Sequence, residues 1–330
     1  MTIRTTHASA IIALALAGAS ATAQAQDSAA STRTAATPAP TATSTSGSDS
    51  NVRLSIGANF SSGDYGTTDR TQVWSVPVGL RWTSGNFNVR VSVPYVVLDG
   101  PGSLIDTPQG RDGGGFDDNS GGGSDSSGRG RGRGGSGSNN SGSGNSGSGG
   151  SGSGGAEIDD NGGVVVPGTS GRTSGLGDVS IAAGYSLPLT DSLFVDAGVR
   201  VKLPTASTAR RLGTGELDVT TSLDLAYDFA GGSIYVGGRH KFAGNSATSN
   251  LQDVWGAGGG ASFRLSSGVS IGADYDWSQP SVAGNGDISE VTGWMSFRLS
   301  RQLRMNLFAS TGLSTNSTDF SSGATLSYRF

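Results

Sequence analysis

The chain has 330 residues, a formal net charge of −4, 56 glycines and no cysteine. Its hydrophobic fraction of 34% lies below that of an ordinary globular domain. No apolar run beyond the N-terminus reaches the roughly 18 residues that a membrane-spanning helix needs. The weak negative charge argues against nucleic acid as a partner.

Residues 1–25 carry the pattern of a secretory signal peptide. A positively charged start is followed by an apolar run at 8–19 and by a small-x-small cleavage site at 23–25. Residues 26–50 consist mainly of Ala, Thr, Ser and Pro, a composition that cannot bury a core. They are therefore predicted to form a flexible leader.

Apolar and polar residues alternate in repeated segments from residue 51 onward. In the first segment, Val52, Leu54 and Ile56 are separated by single polar residues, which is the period of a strand with one apolar face. An even number of such segments is typical of bacterial single-chain barrels. The twelve segments are 52–60, 72–82, 86–98, 177–187, 193–203, 216–229, 233–242, 254–265, 269–278, 289–299, 303–313 and 320–330.

Short and long connections alternate between these segments. The short ones lie at 83–85, 188–192, 230–232, 266–268 and 300–302, and the other connections are longer. Outer-membrane barrels show this asymmetry, with short periplasmic turns on one side and long extracellular loops on the other. Aromatic residues also fall near both ends of the apolar faces, where a bilayer has its two interfaces.

Together these patterns predict an all-β fold, a transmembrane antiparallel up-and-down β-barrel of about 12 strands over residues 51–330. The predicted location is the outer membrane of a Gram-negative bacterium, with both termini periplasmic and the membrane lipid as a partner. An edge strand of a soluble sandwich could show the same period as the last segment. A sandwich, however, gives no reason for the strict alternation of connection lengths.

The third connection, residues 99–174, is the longest. Its middle, 110–155, is mostly Gly and Ser with an Arg-Gly-Arg-Gly-Arg run at 129–133, so it is predicted to be a disordered extracellular segment. The run could contact surface polysaccharide or nucleic acid, but a solubilising spacer is the favoured interpretation. Asp-Asp-Asn sequences at 117–119 and 159–161 could supply calcium ligands; their spacing matches no EF-hand loop, and solvated turns are favoured.

The last predicted strand ends on an aromatic residue. It resembles the C-terminal assembly signal of bacterial outer-membrane barrels, in which a polar residue and a glycine precede two alternating hydrophobic residues and a terminal aromatic. Those positions are filled here by Ser321, Gly323, Leu326, Tyr328 and Phe330. The resemblance implies recognition by the barrel-assembly machinery through this strand.

Three motifs resemble the outer-membrane family named for the meta-pathway of phenol degradation. They are S-G-L-G-D-V-S-I-A-A-G-Y at 174–185, G-V-R-V-K-L-P-T at 198–205 and L-G-T-G-E-L-D-V at 212–219. The resemblance extends from residue 175 to the C-terminus, and the long Gly/Ser insert departs from the family's compact pattern. It implies an outer-membrane transporter barrel that passes hydrophobic or aromatic compounds.

No catalytic residues, metal site or cofactor are predicted, and the chain is not expected to be an enzyme. Outer-membrane phospholipase A is also a twelve-stranded barrel, but it uses a His-x-Ser pair, whereas here His240 is followed at that spacing by Phe242. Asp274 and Asp276 form a carboxylate pair on one strand. Lumen polarity is a simpler role for this pair than proteolysis.

The polar faces of the predicted strands carry many charged residues, which are expected to line the lumen. Arginines are concentrated toward the predicted periplasmic end, and both signs of charge are mixed toward the other end. Trp294 and Phe308 also point inward, where they either fill the interior or stack on a flat solute. The solute-path candidates are Arg53, Arg81, Arg90, Arg200, Lys202, Asp218, Asp224, Arg239, Asp274, Asp276, Trp294, Arg298, Arg304, Phe308 and Arg329.

Two functions fit these features. The favoured function is passage of small hydrophobic or aromatic molecules through a charged, Arg-rich lumen, where the arginines favour anions such as aromatic carboxylates. The alternative is a structural or surface-interaction barrel that is closed by its own salt bridges and whose Gly/Ser/Arg loop contacts partners.

Overall fold

The computed structural model of the protein describes residues 50–65, 69–105, 171–244 and 251–330. The predicted signal peptide, nearly all of the predicted leader, the Gly/Ser-rich insert and both Asp-Asp-Asn sequences lie outside these residues. All described residues belong to one compact unit, Gly47–Phe330. Among them, no helix is long and apolar enough to cross a membrane.

The described residues form thirteen β-strands and a single 3₁₀ turn at Thr208–Arg210. The strands are β1 (Ser50–Gly63), β2 (Thr71–Ser84), β3 (Phe87–Gly100), β4 (Gly171–Leu176), β5 (Val179–Pro188), β6 (Leu193–Leu203), β7 (Asp218–Phe229), β8 (Gly232–Phe242), β9 (Val254–Ser266), β10 (Val269–Ser278), β11 (Ile288–Arg298), β12 (Leu303–Gly312) and β13 (Phe320–Arg329).

The strands form one closed antiparallel barrel. Each strand pairs with its neighbours in the chain, and β13 pairs with β1, from Arg53 opposite Arg329 to Ser62 opposite Phe320. Strands β4 and β5 both pair with β3, at opposite ends of it, so they occupy one position in the wall. The barrel therefore has twelve positions around its circumference and is closed by the pairing of β13 with β1, which confirms the predicted fold class.

The fourth predicted strand differs in detail from the structure. It was expected at 177–187, whereas the wall contains β4, a break at 177–178, and then β5. The break occurs where the Asp178 carboxylate accepts a hydrogen bond from the Ala206 backbone N–H at 2.8 Å, outside the ladder. The sequence of β4, G-R-T-S-G-L, lacks apolar alternation and was assigned to the loop; pairing with β3 holds it as a strand.

Connection length defines the two ends of the barrel. The turns at 85–86, 189–192, 230–231, 267–268 and 299–302 lie at one end, which we call the short-turn end. All longer connections lie at the other, the long-loop end. Positive φ angles at Gly85 (56°) and Gly231 (88°) fit the tight turns, because glycine enters this region without steric cost.

Burial is inverted relative to a water-soluble protein. On β1, Leu54 and Ile56 point outward and are exposed, whereas Arg53, Ser55 and Asn59 point inward and are buried. The same alternation runs around the barrel. Aromatic rings meet on the outer surface at both ends, with the centroids of Phe60 and Trp74 4.7 Å apart at the long-loop end and those of Tyr328 and Phe330 5.1 Å apart at the short-turn end. Apolar bands flanked by aromatic residues suit a bilayer.

A small apolar core lies inside the barrel at the long-loop end. Inward-facing side chains of β2 and β3 meet residues from three connections there, and all seven are buried. Burial raises the pKa of the Tyr65 phenol to about 12, so the group stays protonated at ordinary pH. The members of this mouth core are Tyr65, Val73, Val96, Leu98, Leu104, Ala206 and Leu212.

Candidate functional site

Arginine side chains line the short-turn end of the lumen on six neighbouring strands. They follow one another from β3 through β2, β1, β13 and β12 to β11, and directly opposed pairs are Arg90 with Arg81, Arg81 with Arg53, Arg53 with Arg329 and Arg298 with Arg304. Like charges directly opposite each other in a sheet are unfavourable, and together they create a strong positive potential. We call this set the arginine arc: Arg90, Arg81, Arg53, Arg329, Arg304 and Arg298.

Acidic residues lie on the wall across from the arginine arc. Asp196 on β6 and Asp224 on β7 are opposite each other in the register, and both are buried in the lumen. Strands β6 and β7 are four and five positions from β1 around the ring of twelve. The lumen therefore carries opposite charges on opposite walls, and a solute would pass between them.

A charged cluster is buried near the long-loop end. The Lys202 ammonium contacts the Asp218 carboxylate at 2.6 Å and the Asp178 carboxylate at 3.8 Å, and all three side chains are at most 3% exposed. Lys202 also donates hydrogen bonds to the Ile105 carbonyl at 2.8 Å and to the Thr214 hydroxyl at 3.3 Å. Pairing at this depth offsets the desolvation of the ions only because the remaining donors are also satisfied.

A second ion pair crosses the inner face of β9. Arg239 on β8 donates two hydrogen bonds to Asp276 on β10, at 2.5 and 2.6 Å. The intervening β9 residues are Gly256 and Gly258, and a Cβ on Gly256 would come within 2.7 Å of the guanidinium carbon. The glycines thus let the two side chains meet over the strand between them.

A hydrogen bond between a tyrosine and a carboxylate crosses the inner face of β9 in the same way, next to this ion pair. Tyr235 on β8 donates its hydroxyl to Asp274 on β10 at 2.8 Å. A Cβ on the intervening Gly260 would clash with both side chains. The alternate glycines of β9 therefore form a track over which β8 and β10 are tied together twice.

Two aromatic rings lie flat on glycines elsewhere in the lumen. Trp294 on β11 and Phe308 on β12 are directly opposite in the register. The Trp294 ring covers Gly272 on β10, and the Phe308 ring covers Gly323 on β13, so that a Cβ on either glycine would clash with the ring. The two rings and two glycines form an apolar strip across four strands.

The structure places all of the predicted solute-path residues on the lumen side and groups most of them. Arg53, Arg81, Arg90, Arg298, Arg304 and Arg329 share the arc, whereas Lys202 and Asp218, Arg239 and Asp276, and Trp294 and Phe308 form separate pairs. Arg200 and Asp224 face the lumen on β6 and β7. Sequence reasoning missed Ile105 and Thr214, which accept hydrogen bonds from Lys202. It also missed Arg211, which donates hydrogen bonds to three backbone carbonyls. All three residues lie in connections, which have no strand period.

The residues of the predicted assembly signal occupy both faces of β13. Gly323 points inward under Phe308, and Leu326 and Tyr328 are exposed outward. The Phe330 backbone N–H donates to the Val52 carbonyl at 2.9 Å, which extends the closing ladder to the last residue. Their role in assembly stays a prediction.

Comparison with known proteins supports the fold. No family model matches the chain, and no curated protein sequence matches it. An outer membrane channel from Pseudomonas putida F1 shares 11% identity over 87% of this chain and 98% of that chain, with a TM-score of 0.52. The KdgM porin (8% identity, 84% and 99% covered, TM-score 0.44) and the Ralstonia pickettii toluene transporter TbuX (12% identity, 86% and 89% covered, TM-score 0.37) are more distant and add nothing to the fold assignment.

The chain thus has the barrel fold of an outer-membrane channel. Its structural neighbours are channels and porins. Membership of the phenol meta-pathway family stays a prediction, since no family model matches.

Proposed function

We propose that the barrel spans a bacterial outer membrane and passes small hydrophobic or aromatic molecules through its charged, Arg-rich lumen. The arginine arc is the observation that carries the proposal. A row of arginines in one part of the lumen creates a positive potential, and a charge-lined constriction selects solutes. The outward apolar surface supports the membrane location, because such a surface is stable against lipid. No enzymatic activity is expected.

The proposed orientation follows from connection length. In outer-membrane barrels, short turns face the periplasm and long loops face outward. The short-turn end, with the arginine arc and both ends of the barrel chain, is then periplasmic. The C-terminal strand β13 ends on that side, where we expect the barrel-assembly machinery to recognise it before β13 closes on β1.

The solute class follows from two features of the lumen. The arc favours anions, and the strip formed by Trp294 and Phe308 offers a flat apolar surface. Aromatic carboxylates combine the two properties. They are therefore the solutes that we expect to interact most strongly.

Single-channel recording in planar bilayers tests the proposal. We expect discrete conductance steps, with block by benzoate at concentrations at which the similarly sized neutral benzyl alcohol has little effect. The absence of both conductance and solute-dependent block would overturn the transport function. Heat-modifiable gel migration serves as the control that the reconstituted protein is a folded barrel.

A second candidate function is favoured by the burial of the lumen charges. The Lys202–Asp218 pair and the Arg239 side chain are buried near the long-loop end, as expected for a structural or surface-interaction barrel closed by its own salt bridges. The Gly/Ser/Arg-rich connection would then contact partners. Deleting residues 113–155 discriminates the two functions, because surface binding would be lost while the barrel persists.

A further inference from the structure

Two connection segments pack together at the long-loop end and bury Leu104, Ala206 and Leu212 in the mouth core. They are residues 101–105, which follow β3, and residues 204–214, which follow β6; we call them together the mouth plug. The Leu104 backbone N–H donates to the Arg211 carbonyl at 3.0 Å, which joins the two segments. Leu104 and Leu212, each 1% exposed, pack into the mouth core against inward-facing residues of β2 and β3. The plug therefore covers the side of the mouth next to β2 and β3.

Arg211 has a strained backbone. Its φ of 61° lies in the left-handed region, which is unfavourable for a residue with a side chain relative to glycine. Such outliers persist where the surroundings enforce them, and they are common at functional positions. The Arg211 side chain is therefore a candidate for a functional role.

The Arg211 guanidinium holds three backbone carbonyls. It donates to Gly100 and Gly102 at 2.8 Å each and to Gly171 at 2.6 Å. Gly100 and Gly171 are opposite each other at the ends of β3 and β4. One side chain thus ties the outgoing and returning ends of the longest connection to the segment after β6.

Lys202 anchors the plug from the lumen side. Its ammonium donates to the Ile105 carbonyl at 2.8 Å while it is paired with Asp218. Residues 101–105 are therefore bound to Arg211 through the Gly102 carbonyl and to Lys202 through the Ile105 carbonyl. Gly100 is the last residue of β3, so residues 101–105 lie outside the strands of the barrel.

We propose that the mouth plug is a gate and that Arg211 is the clasp that favours its closed position. Loss of the Arg211 contacts, of which the one to Gly102 lies within residues 101–105, loosens this segment and shifts the gate toward an open long-loop end. Arg211 acts as a positioning residue in this device. The inference rests on the proposed function only where conductance is measured, because the movement of the plug can be followed without any solute.

Cysteine labelling measures the plug directly, since the chain has no cysteine of its own. Leu104→Cys reports the buried side of residues 101–105, and Ser103→Cys, which is partly exposed, gives a reference rate. The reagent is a membrane-impermeant maleimide applied to folded protein in liposomes. We expect slow labelling of L104C alone and labelling about ten-fold faster or more when R211G is added, because three hydrogen bonds are lost.

Arg210 provides the matched control. It is the neighbouring arginine, is exposed, and donates one hydrogen bond to the Ser174 carbonyl at 3.3 Å. R210A is expected to leave L104C labelling unchanged. R211K keeps the charge but loses the planar three-contact geometry, so intermediate labelling is expected; it serves as the test if R211G does not assemble.

Conductance provides the second readout. R211G is expected to conduct more than the wild type, with heat-modifiable migration unchanged. Equal labelling of L104C with and without R211G or R211K, or an equal increase with R210A, overturns the clasp. If R211G speeds the labelling of L104C but neither the wild type nor any variant conducts, the result supports the clasp and counts against the transport proposal alone.

Discussion

At the scale of single residues, Lys202 holds together the charged cluster near the long-loop end. It is the cation next to two buried carboxylates, Asp178 and Asp218. Lys202→Met keeps most of the volume but leaves these carboxylates without their cation. Because removal of one partner strands a buried charge, we expect a loss of about 3–5 kcal/mol in the free energy of unfolding, measured by urea denaturation in detergent micelles.

Lys241→Met is the matched control for this substitution. Lys241 is also buried in the lumen, and its ammonium donates to the Ser281 hydroxyl at 2.9 Å. Loss of that hydrogen bond is expected to cost about 1.5–3 kcal/mol. Equal losses in the two variants would contradict the role given to the Lys202 cluster.

The arginine arc leads to the opposite expectation for stability. Arg81 faces Arg53 on one side and Arg90 on the other. Arg81→Gln relieves two like-charge pairs, so we expect the free energy of unfolding to rise by up to about 1 kcal/mol while anion preference falls. Arg172, which lies opposite Asp99 on β3, is the control, because R172Q removes an opposite-charge neighbour and should bring no gain. A clearly destabilised R81Q would show that the arginines are held by attraction instead.

The aromatic strip depends on glycines at defined positions. A Cβ on Gly272 would clash with the Trp294 ring, whereas Gly293 on the next strand has nothing within 4 Å. Gly272→Ala is therefore expected to displace the ring into the lumen and to cost about 1–3 kcal/mol, seen as a shift in tryptophan fluorescence. Gly293→Ala should leave both stability and fluorescence nearly unchanged. Similar behaviour of the two variants would refute the close packing of ring and glycine.

At the scale of elements, β13 closes the barrel. Its ladder with β1 runs from Ser62 and Phe320 to Arg53 and Arg329, and the Phe330 N–H adds a further bond to Val52. Phe330→Ser is expected to lower the yield of folded protein in the outer membrane more than it alters conductance, because the terminal aromatic is predicted to belong to the assembly signal. Phe320→Ser, at the other end of the same outward face, is the control. Normal yield of F330S with altered conductance would show that the assignment is wrong.

Strand period determined how well each element could be predicted. The segments with Val, Leu and Ile at every second position were placed within a few residues, because the two sides of their wall meet different environments. Strand β4 was missed, since G-R-T-S-G-L has no apolar face and its position comes from pairing with a strand distant in sequence. The inward direction of Arg81 and Trp294 was predictable because both residues lie in segments with clear apolar alternation.

The partners of the lumen side chains were less predictable from the sequence than the inward or outward direction of each side chain. The pairing of Arg239 with Asp276 depends on which strands lie two positions apart and on glycines between them. The contact of Arg211 with Gly171 joins connections whose conformation has no period at all. Sequence alternation therefore identifies the lumen face, whereas side-chain partners follow from register and loop geometry.

At the scale of the whole molecule, the barrel separates three environments. Its outside is apolar, its short-turn end is lined by arginine, and the mouth plug covers part of its long-loop end. The charged side chains therefore lie on the inner face of the wall. If the barrel conducts as proposed, we expect this arrangement to make it selective among ions.

The reversal potential in a planar bilayer under a potassium chloride gradient tests the central claim most directly. A channel with an arginine-lined constriction is expected to show a reversal potential on the anion-selective side, reduced in R81Q. A folded barrel that carries no current, or one that prefers potassium over chloride, would contradict the account.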